Sequence, residues 1–355
     1  MKNQEISINE QQLGADVERL IESAKKTVIK HANDTLVILN WKIGQRISID
    51  ILKLQRAAYG KKIIENLSKR LTTKYGPGYS SRNLHRMVQF FSLYGDLKIV
   101  SSLMTQLDWT HFVYLITIDD PLKREFYTEM CRIEGWRSRN LKEKIAGMYY
   151  ERIGLAKKPN EVIQAELQKL KKTGEVTTDY VIQDPIIFNH LMGRDFPTEK
   201  SLEQAILNDI ENFLLSFGNG FAFLERQKSI EIDGEFFYID LLMYHRRLRC
   251  LVVVELKLGR FKAQDKGQTE LYLRWLEKNE MQPNENPPIG IILCSEKSDE
   301  TVELLQLNDS GIHISQFLTE LPPKEIFAER LHVAIKKAKE RYEILETLRE
   351  ENGDE

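Results

Sequence analysis

The chain has little cysteine and no long apolar run. Its 355 residues include three cysteines, Cys131, Cys250 and Cys294. Their wide spacing offers no zinc-binding pattern, and an odd number argues against a disulfide framework. No apolar stretch approaches the roughly 20 residues needed to span a bilayer, and residues 1–5 lack the apolar core of a signal peptide. We therefore expect a cytoplasmic protein that has no membrane partner.

An excess of charge of one sign is also lacking overall, although the charges are unevenly distributed. The formal net charge of −2 says nothing by itself about nucleic acid. Residues 41–98, in contrast, hold twelve Lys or Arg and three Asp or Glu, a local charge of +9. Such a segment can bind phosphate non-specifically, or it can be the solvated face of ordinary helices. Both interpretations stay open at this point.

The first half of the chain has the spacing of helices. Hydrophobic residues make up 42% of the sequence and charged residues 29%, which suits a folded chain of two or three domains. Apolar residues recur at helical spacing over 17–28, 36–51 and 63–71, and a break at 76–80 precedes a basic helix. That break resembles a helix-turn-helix or winged-helix unit, although helical bundles contain such turns too. Arg82 and Arg86 on the basic helix are candidates for nucleic-acid binding. His111 is predicted to cap or pack a helix rather than to catalyse.

The second half changes to the order α-β-β-β-α-β-α-β. A single helix is predicted from Ser201, which can form a capping box with Gln204, to about residue 217. Asp233-Gly234 predicts a tight hairpin between the first two strands. The third strand is almost wholly apolar, so we expect it to lie in the centre of the sheet. The strands are predicted at 221–232, 235–244, 250–258, 289–294 and 312–317, and the later helices at 263–279, 299–307 and 324–349.

Three ionised side chains interrupt these apolar strands. Glu255 and Lys257 share one face of the third strand because side chains alternate along a strand. Asp240 lies on the preceding antiparallel strand, so its carboxylate can approach that of Glu255. Buried charge is costly unless it is paired or holds a metal, and carboxylates suit Mg²⁺. A buried ion pair is the structural alternative.

This arrangement resembles the PD-(D/E)XK nuclease superfamily. The resemblance implies that Asp240, Glu255 and the backbone carbonyl of Leu256 bind Mg²⁺ or Mn²⁺, and that Lys257 serves the attacking water. Ile239 stands where the family usually has proline. Members often carry a glutamate on the first helix, for which Glu203 is preferred here over Glu211.

The helix that follows the third strand adds a second resemblance. Gln268 and Tyr272 are four residues apart, which places them on one helical face. This spacing is similar to that of the RecB-like branch, in which both side chains support the active site. The alternative is an ordinary packing helix.

The whole chain is similar to the YhcG-like family of bacterial proteins. The resemblance rests on residues 39–44, 107–111, 136–141 and 237–252, the last run being long and specific. It implies an α/β (α+β) chain in which a helical N-terminal domain precedes a nuclease domain with an αβββαβ core and a mixed central sheet. The predicted divisions are a helical domain for DNA binding or dimerisation (1–155), a linker (156–197), the nuclease domain (198–322) and a C-terminal helix with an acidic tail (323–355).

The expected function is that of a Mg²⁺-dependent DNA endonuclease, working as a homodimer because cutting two strands usually needs two sites. The alternatives are an RNA-directed nuclease and a non-catalytic nucleic-acid-binding or assembly module. Arg246, Arg247 and Arg249, in the turn after the second strand, could contact phosphate or could form a polar hairpin tip.

Overall fold

The computed structural model describes residues 31–49, 57–188, 191, 196–218, 220–305, 310–319 and 323–353. The chain divides into two compact units, Met1–Glu143 and Lys144–Glu355, so the division falls before the expected boundary at 155. The amphipathic run predicted at 17–28 lies outside the described residues. Among the helices that the structure describes, none is long and apolar enough to cross a membrane.

The first unit is built from helices. They are α1 (31–49), α2 (Ala57–Tyr75), α3 (Ser81–Leu93), α4 (Leu97–Leu103), α5 (Trp109–Leu115) and α6 (Pro121–Glu134), with α7 (Ser138–Ala146) spanning the division. The predicted break is present: Gly76 has φ 94°, and a 3₁₀ turn, Pro77–Tyr79, leads to Ser80 at the N-cap of α3. The described part of this unit contains no strand, so those residues do not form the strands of a winged helix.

His111 has the capping role predicted for it. Its backbone N–H donates to Asp108 Oδ1 at 3.0 Å, and Nδ1 accepts the backbone N–H of Asp108 at 3.2 Å, which completes a capping box at the start of α5. Its Nε2 lies 2.9 Å from the carbonyl oxygen of Trp136. These contacts confirm the prediction that His111 caps and packs.

The second unit contains all the strands that the structure describes. Its helices are α8 (Tyr149–Arg152), α9 (Asn160–Thr173), α10 (Thr178–Val181), α11 (Glu199–Asn208), α12 (Ile210–Phe217), α13 (Ala263–Asn279), α14 (Asp299–Leu304) and α15 (Lys324–Gly353). Its strands are β1 (Ile186–Ile187), β2 (Phe221–Ile232), β3 (Glu235–His245), β4 (Cys250–Arg260), β5 (Ile289–Glu296) and β6 (Ile312–Leu318). The range 156–197, predicted as a linker with one helix at 162–170, contains α9, α10 and β1, and its role as a linker stays a prediction.

The sheet order is β1-β6-β5-β4-β3-β2. β2, β3 and β4 are antiparallel neighbours, whereas β4, β5, β6 and β1 run parallel. Asp233 and Gly234 both have positive φ, 52° and 84°, as a type I′ hairpin turn requires. The mixed sheet with β4 in its interior confirms the predicted fold class.

The first helix of this unit differs from the prediction. α11 begins one residue after Thr198, whose hydroxyl accepts the backbone N–H of Ser201 in a capping box. Ser201 is therefore the third helical residue of that box, and Gln204 donates instead to Asn208 Oδ1. Asp209, with φ −140° and ψ 51°, separates α11 from α12. The predicted Ser201–Gln204 capping box was wrong because Thr198 caps the helix, and the predicted single helix was wrong because the backbone of Asp209 leaves the helical conformation.

Helices cover both faces of β4. Val252 and Val254 pack with Leu202 and Ile206 of α11, whereas Val253 packs on the opposite face with residues of α13. α13 lies very close to the sheet where it crosses Gly290, since a Cβ there would be 2.6 Å from Thr269 Cγ2. This packing holds α13 against the face of β4 that carries Glu255 and Lys257.

Candidate active site

The predicted acidic pair lies where two strands part. β3 pairs with β4 from His245–Cys250 as far as Leu241–Val254. β4 then continues beside β5 through Glu255 and beyond. Asp240 and Glu255 are the next residues on their strands, so they occupy the fork between β3 and β4.

Side-chain contacts bridge this fork. The backbone N–H of Asp240 donates to Glu255 Oε1 at 3.3 Å. The backbone N–H of Leu256 donates to Asp240 Oδ2 at 2.9 Å. Each carboxylate is thus held by a backbone donor of the opposite strand, which fixes both side chains at the opening of the fork.

The charge of this pair is only partly balanced. Glu255 is 2% exposed, and burial, with the nearby charge of Asp240, raises its pKa to about 8 although Lys257 acts in the opposite direction. Lys257 Nζ lies 3.4 Å from Glu255 Oε2. Burial alone would lower the pKa of Lys257, but Glu255 and Asp240 outweigh it and raise that pKa. One ammonium therefore faces two carboxyl groups, of which Glu255 is the harder to ionise.

Glu203 reaches the pair through a residue that the sequence did not single out. Gln227 Nε2 lies 3.2 Å from Glu203 Oε2 and 3.1 Å from Asp240 Oδ1. Burial and the charge of Asp240 raise the pKa of Glu203. Glu211, the other candidate, is exposed on α12, beyond the break at Asp209.

A signal for Gln227 was present in the hairpin register. Ile232 pairs with Glu235 across the turn, and counting back along both strands from that pair sets Gln227 opposite Asp240. Gln227 belongs to no known motif, so composition and spacing did not predict it as a site residue.

Gln268 and Tyr272 are brought together on α13. Gln268 Nε2 donates to the Tyr272 hydroxyl, and Tyr272 is 1% exposed. Burial raises the pKa of that hydroxyl, and the charges of Glu255 and Asp240 contribute to the shift. Tyr272 therefore lies within electrostatic reach of the acidic pair, on the α13 side.

The residues of the fork fit a hard cation. Within the described residues, no three His, Cys, Asp or Glu side chains form a group that could hold a metal ion. The predicted ligand set has instead two carboxylates and a backbone carbonyl, with Glu203 nearby. Once Glu255 is ionised, the two carboxylates carry one negative charge more than Lys257 balances, and oxygen ligands of this kind suit Mg²⁺ or Mn²⁺.

The predicted phosphate-binding arginines do not join this site. Arg246, Arg247 and Arg249 lie in the turn at the opposite end of the β3–β4 pair, about 15–20 Å from Asp240 at 3.3 Å per residue. The paired part of the two strands separates the turn from the fork, and phosphate binding by these arginines stays a prediction. Arg82 is exposed and Arg86 half-buried on α3, in the first unit.

Two family descriptions match the chain. Residues 16–152 match the DUF1016 N-terminal domain, and residues 179–332 match the YhcG PDDEXK nuclease domain. The chain is 30% identical to the protein named "Putative nuclease YhcG" of Escherichia coli (strain K12) over 352 residues, which covers 90% of this chain and 93% of the relative.

Solved structures give weaker similarities. A repair endonuclease from Pyrococcus abyssi is 20% identical, with TM-score 0.25, over 37% of this chain and 50% of the other. EndoMS in complex with double-stranded DNA is 19% identical, with TM-score 0.27, over 36% and 48%. The chain thus spans about half the length of these structures.

Proposed function

This chain belongs to the YhcG family of proteins with a C-terminal PDDEXK nuclease domain, and from that premise we propose that it is a metal-dependent DNA endonuclease. The observation that carries the proposal is the acidic pair of half-buried Asp240 and buried Glu255, with Lys257 beside it at the fork of β3 and β4. Neither histidine, cysteine nor serine is needed for this chemistry.

Asp240, Glu255 and the backbone carbonyl of Leu256 would hold Mg²⁺ or Mn²⁺, with Glu203 as a further carboxylate. A divalent ion held there would polarise a phosphate oxygen and lower the pKa of a bound water. The protein contributes the two fixed carboxylates, whose orientation is set by backbone donors of the opposite strands.

Lys257 has the position to serve the attacking water. Its ammonium is tied to Glu255 at 3.4 Å and keeps 19% of its side-chain surface exposed, so it can orient a water while balancing charge that develops on the phosphorus oxygens. In the hydrolysis, the water oxygen bonds to phosphorus and releases a proton to solvent, the bond between phosphorus and the leaving oxygen breaks, and that oxygen takes a proton from solvent. Gln268 and Tyr272 support the site from α13.

Nucleic acid would be held by the basic residues outside the fork. Arg82 and Arg86 would contact the phosphate backbone from α3, and Arg246, Arg247 and Arg249 would do so from the turn after β3. Contacts of this kind position a substrate without reading its sequence. Cleavage of both strands of a duplex would then require a homodimer.

A cleavage panel tests the proposal. Plasmid, linear and branched DNA and an RNA of matched length are incubated with Mg²⁺ or Mn²⁺, and with EDTA. We expect metal-dependent cleavage of DNA that Asp240→Asn and Lys257→Ala abolish. Glu203→Gln should reduce it, whereas Glu211→Gln, on the exposed glutamate of α12, should not.

Different results would point elsewhere. Cleavage that survives both Asp240→Asn and Lys257→Ala would exclude this site. Faster cleavage of RNA than of any DNA would change the substrate class but keep the site. Metal-independent binding of DNA without cleavage would favour the non-catalytic alternative.

A further inference from the structure

Gln227 stands opposite Asp240 on the edge strand β2. The flanking pairs are Arg226 with Leu241 and Lys228 with Ile239, so the register places Gln227 directly across from Asp240. Its amide nitrogen donates to both Asp240 Oδ1, at 3.1 Å, and Glu203 Oε2, at 3.2 Å. An amide NH₂ has two hydrogens to donate, and these two carboxylates take both.

The backbone of Gln227 is unusual for a strand. Its φ is 46°, in the left-handed region that residues other than glycine seldom adopt. Such strain persists only where surrounding contacts over-determine it, and it gathers at functional sites. Gln227 is exposed, so burial does not turn its side chain inward. Its hydrogen bonds to the two carboxylates hold the side chain over the site.

We propose that Gln227 is a positioning residue that joins Glu203 of α11 to Asp240 of β3 and so sets the geometry of the cation-binding carboxylates. The inference rests on the proposed function, because it assumes that these carboxylates bind a divalent ion. Without the amide, the carboxylates of Glu203 and Asp240 would face each other with no hydrogen-bond donor between them. Glu203 would also lose its hydrogen bond to β2.

Calorimetric titration of the full chain with Mn²⁺ alone tests this role without using activity. Gln227→Met keeps the length of the side chain but removes both N–H donors. Gln227→Gly removes the side chain and accepts positive φ without strain. Gln204→Met is the matched control, since Gln204 neighbours Glu203 on α11 but donates to Asn208.

We expect both Gln227 variants to raise the Kd for Mn²⁺ by about 10–100-fold, as is typical when a partner of a metal ligand is removed. The control should bind as wild type does. Gln227→Gly should melt at or above the wild-type temperature, because it relieves the backbone. Weaker Mn²⁺ binding without a drop in thermal stability is the result that a merely structural role would not give.

Two outcomes would overturn the inference. In the first, both Gln227 variants bind Mn²⁺ as tightly as wild type while Asp240→Asn does not, which leaves the proposed function intact. In the second, affinity and melting temperature fall together in Gln227→Gly, which reduces Gln227 to a part of the fold. If Asp240→Asn itself bound Mn²⁺ like wild type, the proposed function would fail as well.

Discussion

Asp240 and Glu255 are held by each other's strands: the backbone N–H of Asp240 donates to Glu255 Oε1 at 3.3 Å, and that of Leu256 to Asp240 Oδ2 at 2.9 Å. Two carboxyl groups are therefore fixed side by side without a backbone ladder between them. Burial and the charge of Asp240 oppose the ionisation of Glu255. The free-energy cost of ionising Glu255 at this position should be visible as a dependence of stability on pH.

The stability of the metal-free protein should fall as the pH rises. Glu255 has a folded-state pKa of about 8 against an ordinary value of 4.5, so the native state holds a proton that the unfolded chain has released. This contribution is fully present below pH 4.5 and is lost as the pH rises through about 8. We expect wild type to lose stability relative to Glu255→Gln over that interval, measured by urea unfolding in EDTA from pH 5 to 9.

Two further measurements sharpen this prediction. Glu211→Gln, which changes an exposed glutamate, should follow the wild-type curve. Added Mg²⁺ should restore stability at pH 8, since a ligand that binds the folded state stabilises it. Parallel curves for wild type and Glu255→Gln would contradict the burial of an ionisable Glu255.

Asp184 should be essential for the stability of the second unit. Its carboxylate contacts Lys297, lies 2.9 Å from Lys157 Nζ and accepts the backbone N–H of Gln316 at 3.1 Å. Removing one member of a buried pair costs roughly 3–5 kcal/mol, and because the Asp184 side chain keeps 14% of its surface exposed, we expect the lower end of that range, about 3 kcal/mol, for Asp184→Ala in urea unfolding. Glu340→Ala, which breaks an exposed pair 3.8 Å long with Lys336, should cost about 0–1 kcal/mol.

The same carboxyl predicts sensitivity to acid. Burial opposes the charge of Asp184, but Lys157 and Lys297 outweigh it and hold its pKa well below the ordinary 3.8. The stabilisation is therefore present above pH 3.8 and is lost as the pH falls below it. Asp184→Asn should flatten the loss of stability below pH 4. If Asp184→Asn lost stability below pH 4 as steeply as wild type does, other carboxylates would be the cause of that loss.

Gly290 should be intolerant of a side chain. A Cβ there would lie 2.6 Å from Thr269 Cγ2, so Gly290→Ala should push α13 away and cost about 1–3 kcal/mol. Adding Thr269→Ser should restore much of this, because serine lacks the methyl but can keep the bond that Thr269 Oγ1 makes to the Asp265 carbonyl. Thermal melting of both variants measures the difference.

A second glycine of the same region is the control. Gly267, on α13, has nothing within 4 Å of a Cβ, so Gly267→Ala should stabilise the helix by roughly 0.5–1 kcal/mol. Equal effects of Gly267→Ala and Gly290→Ala would show that helix propensity, rather than the contact with Thr269, decides the outcome.

The arginine clusters should bind DNA independently of cleavage. Replacing Arg82 and Arg86 by alanine, or Arg246 and Arg249, should weaken binding of a duplex and reduce the slope of log K against log salt by about 0.9 for each phosphate that the variant no longer neutralises. Fluorescence anisotropy at several salt concentrations measures this. Arg274→Ala is the control, since Arg274 pairs with Glu270 on the surface of α13. If the variant of one cluster kept the wild-type slope of log K against log salt, that cluster would not contact DNA phosphates.

Much of the second unit could be predicted from local pattern. β2 and α13 have the predicted bounds, because alternation, helical spacing and the Asp233-Gly234 turn are properties of neighbouring residues. The candidate site was found for a related reason: charges in apolar strands are conspicuous at Asp240, Glu255 and Lys257. The structure brings these three together, and their roles in catalysis stay predictions.

The sequence by itself determined the order of β2 to β6, the helices that follow β4, the hairpin turn and the three charged residues of the fork, since each follows from spacing along the chain. Only the tertiary structure decided that β1 exists, because two residues form a strand only when β6 is there to pair with them. It also set the raised pKa of Glu255 and the distance between the arginine turn and the fork. It brought Gln227 between two carboxylates from different elements. These depend on burial and on contacts between distant segments, which no local pattern records.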